Sequence, residues 1–98
     1  MIDNTGIKYD DGKPPVGLLL ESFPRALKEV ARVCGHGEKE YGRHNWDKLE
    51  NGVIRYRDAH GRHILDRAIE GEISIETGLY HLAQSVWNGL AELELILR

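Results

Sequence analysis

The side chains able to do chemistry concentrate between residues 53 and 88. Asp58, Arg62 and His63 fall in the first half of that stretch, Glu72 and Glu76 near its middle, and His81, Ser85 and Asn88 in the second half. Arginine offers a planar, permanently charged fork that matches phosphate oxygens. Histidine and asparagine add donors that orient a sugar or a phosphate. A second cluster mixes glycine with Tyr41, Arg43, His44, Asn45 and Trp46. Its donors suit phosphate and its rings suit stacking on a base. Lys13 stands before Pro14 and Pro15, a stiff setting that could hold one lysine near an anion. The plainer alternatives are a core anchor for Trp46, a solvated charge for Arg43 and a helix-dipole partner for Glu76.

Hydrolytic chemistry is less well provided. Helical proteins that cut nucleoside triphosphates use facing carboxylates to hold Mg²⁺, which demands near-octahedral oxygen ligands. No Glu-x-x-Glu or Glu-x-x-Asp occurs, and Asp47-x-x-Glu50 lies in a polar connection. Glu72 and Glu76 make one half-site for Mg²⁺, and Asp58 could join them as a catalytic carboxylate. The histidines are His36, His44, His60, His63 and His81, with no His-x-x-x-His pair and no adjacent His-Asp. Zinc or iron is therefore not expected, and no serine or cysteine has a nucleophile's partners.

These residues need helices to position them. Apolar residues at Phe23, Leu27, Val30 and Cys34 predict a first helix over 23–34, capped by Ser22 and ended by Gly35 and Gly37. Cys34 falls on its apolar face and reads as a small buried hydrophobe. Asn51 would cap a second helix over 52–70, where mid-helix Gly61 would permit a close approach. Ser74 would cap the last helix, 75–97. There Leu79, Leu82, Val86, Gly89, Leu93 and Ile96 form a packing seam, and His81, Ser85, Asn88 and Glu92 form a polar stripe. The expected fold is all-α: a small helical bundle with a C-terminal helical hairpin. Residues 1–18 form an extended arm and 19–98 a helical core whose packing includes Leu18 to Leu20.

Ninety-eight residues make one domain and bury a modest core, so a homo-oligomer is expected. The net charge of -3 excludes broad electrostatic binding of nucleic acid. One cysteine excludes an internal disulfide. No stretch reaches the length of a membrane span and no apolar signal core is present, which implies a cytoplasmic protein.

Several spaced patterns resemble a known family. They are Lys8-x-Asp10-x-Gly12-Lys13-Pro14, Glu29-Val30-Ala31, and Gly37-x-x-x-Tyr41-Gly42-x-x-Asn45-Trp46. Tyr56-x-Asp58-Ala59-x-x-Arg62-His63, Gly71-Glu72, Glu76-x-Gly78-Leu79-x-His81-Leu82-Ala83 and Asn88 continue the series. In order and combination they resemble small phage proteins described as the N-terminal domain of dATP/dGTP diphosphohydrolases. The resemblance implies a phage-encoded helical protein acting on purine nucleotides in the host cytoplasm. The family commonly has an aspartate where this chain has Ser74 and Ile75, and a histidine where it has Gln84.

The donors and the sparse acids together lead to a binding protein that sequesters its ligand, a purine nucleotide or a cyclic or other immune signalling nucleotide, in an anti-defence role. Lys13, Arg43 and Arg62 would contact phosphates. Tyr41 or Trp46 would stack on the base, beside His44 and Asn45. His63, His81 and Asn88 would orient ribose or phosphate, with no cofactor required. The alternative is an Mg-dependent dATP/dGTP diphosphohydrolase that releases pyrophosphate, using Asp58, Glu72 and Glu76. A third reading is a non-catalytic helical protein-interaction module.

Overall fold

A computed structural model describes residues 5–98. Its order is α1 (Val16–Ser22), α2 (Pro24–Tyr41), a single 3-10 turn (Trp46–Lys48), α3 (Gly52–Glu70) and α4 (His81–Leu97). The all-α expectation holds among the described residues, where the only strand-like pairing is one antiparallel bridge between Ile73 and Tyr80.

The boundaries differ where side-chain chemistry competes with local signals. Residues 16–18, expected in the arm, begin a helix that runs to Ser22, and Leu18, Leu19 and Leu20 lie exposed rather than packed. Ser22 ends α1, and Phe23 occupies the cap position before Pro24. Helix α2 runs straight through Gly35 and Gly37 and stops at Gly42, whose φ of 92° is left-handed. Two interior glycines cost about 1 kcal/mol each, which the packing of one helix face offsets. Cys34 is exposed, not buried, and accepts a hydrogen bond from Trp87 Nε1 at 3.1 Å, tying α2 to α4.

Helix α3 matches its expected span, but Asn51 makes no side-chain capping hydrogen bond and instead turns the chain in a left-handed conformation. A Cβ added to Gly61 would meet no atom within 4 Å, so this glycine serves no close approach. Gly52 and Gly89 do that instead: a Cβ on Gly52 would fall 2.7 Å from Leu95 Cδ1, and one on Gly89 would fall 3.3 Å from the His60 ring. Helix α4 starts six residues later than Ser74 suggests. The Ser74 hydroxyl accepts from the Thr77 amide at 3.2 Å, and the Ser74 amide donates to the Leu79 carbonyl at 2.8 Å. Ser74 thus closes a turn with a cap's chemistry. Gly78 at φ 74° completes that turn, and the His81 amide donates to the Glu72 carbonyl at 2.8 Å.

The α3–α4 hairpin is antiparallel. Later residues of α4 meet earlier residues of α3: His81 with His63, Ser85 with the His60 carbonyl, Glu92 with Arg57, and Leu95 with Gly52. Helix α4 turns its polar stripe inward. His81, Gln84, Ser85 and Asn88 are buried, whereas Leu82, Val86, Leu93 and Ile96 are exposed. The molecule is long, 59 × 30 × 23 Å. No helix is long and apolar enough to cross a membrane among the described residues.

Candidate functional site

A wide cleft of about 800 Å³ opens between α2, the 3-10 turn and α4. Val30, Tyr41, Trp46, Tyr56, Trp87 and Leu90 are among its walls. Trp87 anchors them: its ring meets Trp46 edge-on at 6.3 Å and Tyr56 edge-on at 5.5 Å. The Tyr56 hydroxyl donates to the Trp46 carbonyl at 2.6 Å. Burial raises the Tyr56 pKa, so the phenol stays a donor. Arg98 lies 5.1 Å over the Trp46 ring and reaches Asp47 at 3.1 Å, which holds that carboxyl below its usual pKa.

A narrower polar groove of about 240 Å³ shares Leu49, Arg55 and Tyr56 with the cleft. Asp58, Ala59, Arg62 and Asn88 complete it. Arg55, Asp58 and Arg62 are spaced three and four apart, so they share one face of α3. At 1.5 Å per residue the two arginines span about 10 Å of helix. Asn88 is buried and its amide donates to the Gln84 carbonyl at 2.7 Å, which fixes its orientation.

A third cluster lies at the hairpin's turn. His81, only 1% exposed, presents Nδ1 to His63 Nδ1 at 3.0 Å and Nε2 to Glu70 Oε1 at 2.5 Å. The His81 hydrogen bond pulls the Glu70 pKa down. Burial, then the charge of His81, pushes the His63 pKa down and favours its neutral form.

The anticipated site residues therefore do not converge on one pocket within a chain. Tyr41, Asn45 and Trp46 line the cleft, with Trp46 also a packed wall. Arg62, Asp58 and Asn88 line the groove. His63 and His81 form the cluster at the other end of α3. Arg43 is exposed and pairs with Glu38 at 3.3 Å, His44 is exposed, and Lys13 lies exposed in the arm. Glu72 pairs with Arg67 at 3.0 Å, and Glu76 is in the turn rather than on a helix. Asp58 lies twelve residues before Glu70, which is about 18 Å along α3. One chain thus does not bring Asp58, Glu72 and Glu76 onto one ion.

Spacing alone does not single out Arg55, Tyr56 and Trp87 as site residues, because nothing in it separates a wall from a core. Asp66 and Glu70 are equally inconspicuous. His63 and Asp66 are three apart on a helix, a pattern that neither two-histidine nor paired-carboxylate spacing captures.

Comparison with known proteins places these features in a family. The family model described as "dATP/dGTP diphosphohydrolase, N-terminal" matches residues 3–98. A dATP/dGTP diphosphohydrolase of Salmonella phage PMBT28 is 44% identical over 81 residues, 83% of this chain and 26% of that protein. The chain thus spans about a quarter of that relative's length. No solved structure matches. The expectation of sequestration gives way here, since both the family and the relative carry a hydrolase's name. The carboxylate scarcity behind it belongs to a chain that matches only part of such an enzyme. By the match over residues 3–98, this chain belongs to the dATP/dGTP diphosphohydrolase N-terminal family.

Proposed function

We propose that this chain both holds a purine deoxynucleoside triphosphate and acts on it as a diphosphohydrolase, cleaving the bond between the α and β phosphates and releasing pyrophosphate. The observation that carries this reading is the junction of an aromatic cleft with an arginine-flanked groove across the shared wall of Leu49, Arg55 and Tyr56. A purine fits the first and a triphosphate the second. Tyr41, exposed on the cleft wall, offers its face to the base, with Trp46 packed beside it. Arg55 and Arg62, about 10 Å apart along α3, bind successive phosphates through bidentate forks. Asp58 lies between them and is the carboxylate positioned to accept a proton from an attacking water.

Divalent metal chemistry accompanies most triphosphate hydrolysis: the ion neutralises phosphate charge and activates water. The carboxylates Asp58, Glu72 and Glu76 do not fit one oxygen-ligated Mg²⁺ within a chain, because α3 separates the first from the other two. No step is assigned to that ion.

Calorimetry with a dGTP analogue bearing a non-cleavable α–β bridge tests the site. The expected result is micromolar binding for dGTP and dATP analogues and weaker binding for pyrimidine analogues. Arg62→Ala weakens it by roughly 10- to 100-fold, the loss of a charged hydrogen bond. Equal binding of purines and pyrimidines, or an Arg62→Ala variant that binds like the wild type, overturns the assignment.

A further inference from the structure

The cluster at the α3–α4 turn has no part in the cleft or the groove. Among the described residues it is the one group of three metal-capable side chains in mutual reach: the ligand atoms of His63, Asp66 and His81 all lie within 4.8 Å of one another. We propose that His63 Nδ1, His81 Nδ1 and an Asp66 carboxylate oxygen form a binding site for a divalent transition metal of the Zn²⁺, Co²⁺ or Mn²⁺ type, with Glu70 supporting His81 from behind.

Four features support this. First, the two Nδ1 atoms stand 3.0 Å apart. Two nitrogens on one ion, at metal–nitrogen distances of about 2.0–2.1 Å and angles of roughly 90–110°, lie about 2.8–3.4 Å apart. Second, Glu70 is an acceptor only, so its contact with Nε2 draws the His81 proton to that side. With the Nε2 proton held by Glu70, a singly protonated ring turns its Nδ1 lone pair towards His63. A carboxylate behind a ligating histidine is a recurrent arrangement that fixes the tautomer and raises ligand basicity. Third, His63 and Asp66 are three apart on α3 and share a face, which keeps an Asp66 carboxylate oxygen within 4.8 Å of both imidazoles. Fourth, the site is anchored: His81 is buried, and its amide is held by the Glu72 carbonyl.

Two imidazoles and one carboxylate favour a borderline metal over Mg²⁺, which prefers oxygen. Three protein ligands leave at least one position for water or a phosphate oxygen. The site would also pin the end of α3 to the start of α4. None of this depends on where the nucleotide sits.

Without metal, the same atoms form a plain histidine–histidine hydrogen bond, and the test separates the two. The whole chain is freed of metal with a chelator and titrated with Co²⁺, read by visible absorption, and then with Zn²⁺ by calorimetry. The expected result is one equivalent per chain, displacement of Co²⁺ by Zn²⁺, and no competition from millimolar Mg²⁺. His63→Gln and Asp66→Asn, both at positions outside the buried core, should each weaken binding at least 10-fold while circular dichroism stays helical. Glu70→Gln should cost roughly 10- to 100-fold in affinity, the usual effect of losing the group behind a ligand. His44→Gln should change nothing. Absence of saturable uptake by a folded chain, or unchanged uptake in the His63→Gln, Asp66→Asn double variant, overturns the proposal. A failure here leaves dGTP-analogue binding intact, and a failure of nucleotide binding leaves metal uptake intact.

Discussion

The Asp47–Arg98 pair shows what single residues do for the cleft. Arg98 reaches Asp47 at 3.1 Å and Glu94 at 3.3 Å while its guanidinium covers Trp46. This links the end of α4 to the 3-10 turn and steadies the aromatic wall. The Arg98 hydrogen bond lowers the Asp47 pKa from an ordinary 3.8. A carboxylate whose folded pKa is depressed stabilises the fold above its unfolded pKa, and that contribution is lost as pH falls through the lower folded value. Acid unfolding of the wild type should therefore show a loss below pH 3.8 that Asp47→Asn lacks. Unfolding midpoints measured by circular dichroism at steps of pH check this, and superimposable pH profiles would contradict it. At this scale the sequence displays the right residue types, but not their partners. Nothing near Trp46 announces that a residue some fifty positions on will lie over its ring.

At the scale of elements, α3 is readable because Asn51 and Gly71 bracket it and no side chain inside competes with the helix. Asn51 takes a left-handed conformation with φ 56°, and Gly71 does the turning at the other end. Helices α2 and α4 depart from their local signals for opposite reasons. Gly35 and Gly37 look like a stop, yet neither needs a glycine's φ, and the helix continues to Gly42. Ser74 looks like a cap, yet its hydroxyl is consumed by the Thr77 amide inside the connecting turn. Gly61 gives the clearest prediction here. It lies mid-helix with open space around it. Gly61→Ala should raise stability by about 0.5–1 kcal/mol through helix propensity and a less free unfolded chain. Thermal or urea denaturation measures this, and a lower midpoint would mean that a neighbouring surface meets that position.

The whole molecule is under-packed for a lone chain. Its radius of gyration is 17.7 Å, whereas a compact domain of about 100 residues has about 13 Å. The buried apolar core among the described residues is small, and buried polar residues line the α3–α4 contact. The 4-3-spaced seam on α4 is visible in the sequence. What the sequence does not reveal is that its polar neighbours take the intramolecular face, because the Ser85 hydrogen bond to the His60 carbonyl and the His63–His81 contact need a specific partner helix. Leu82, Val86, Leu93 and Ile96 are then left outside at self-complementary spacing. A second copy of the chain should cover them. Sedimentation equilibrium should give at least twice the 11.1 kDa chain mass, and Val86→Glu with Leu93→Glu should return a monomer. A wild-type chain that sediments as a monomer at all concentrations would contradict this.

The catalytic reading meets its most direct test in the products. Phosphorus NMR of dGTP incubated with the protein and Mg²⁺ or Mn²⁺ should show pyrophosphate and dGMP growing together. Asp58→Asn should slow that growth by roughly 10²- to 10⁴-fold, the range for loss of a general base. Inorganic phosphate with dGDP, free triphosphate, or an unchanged dGTP spectrum at high protein concentration would contradict the account.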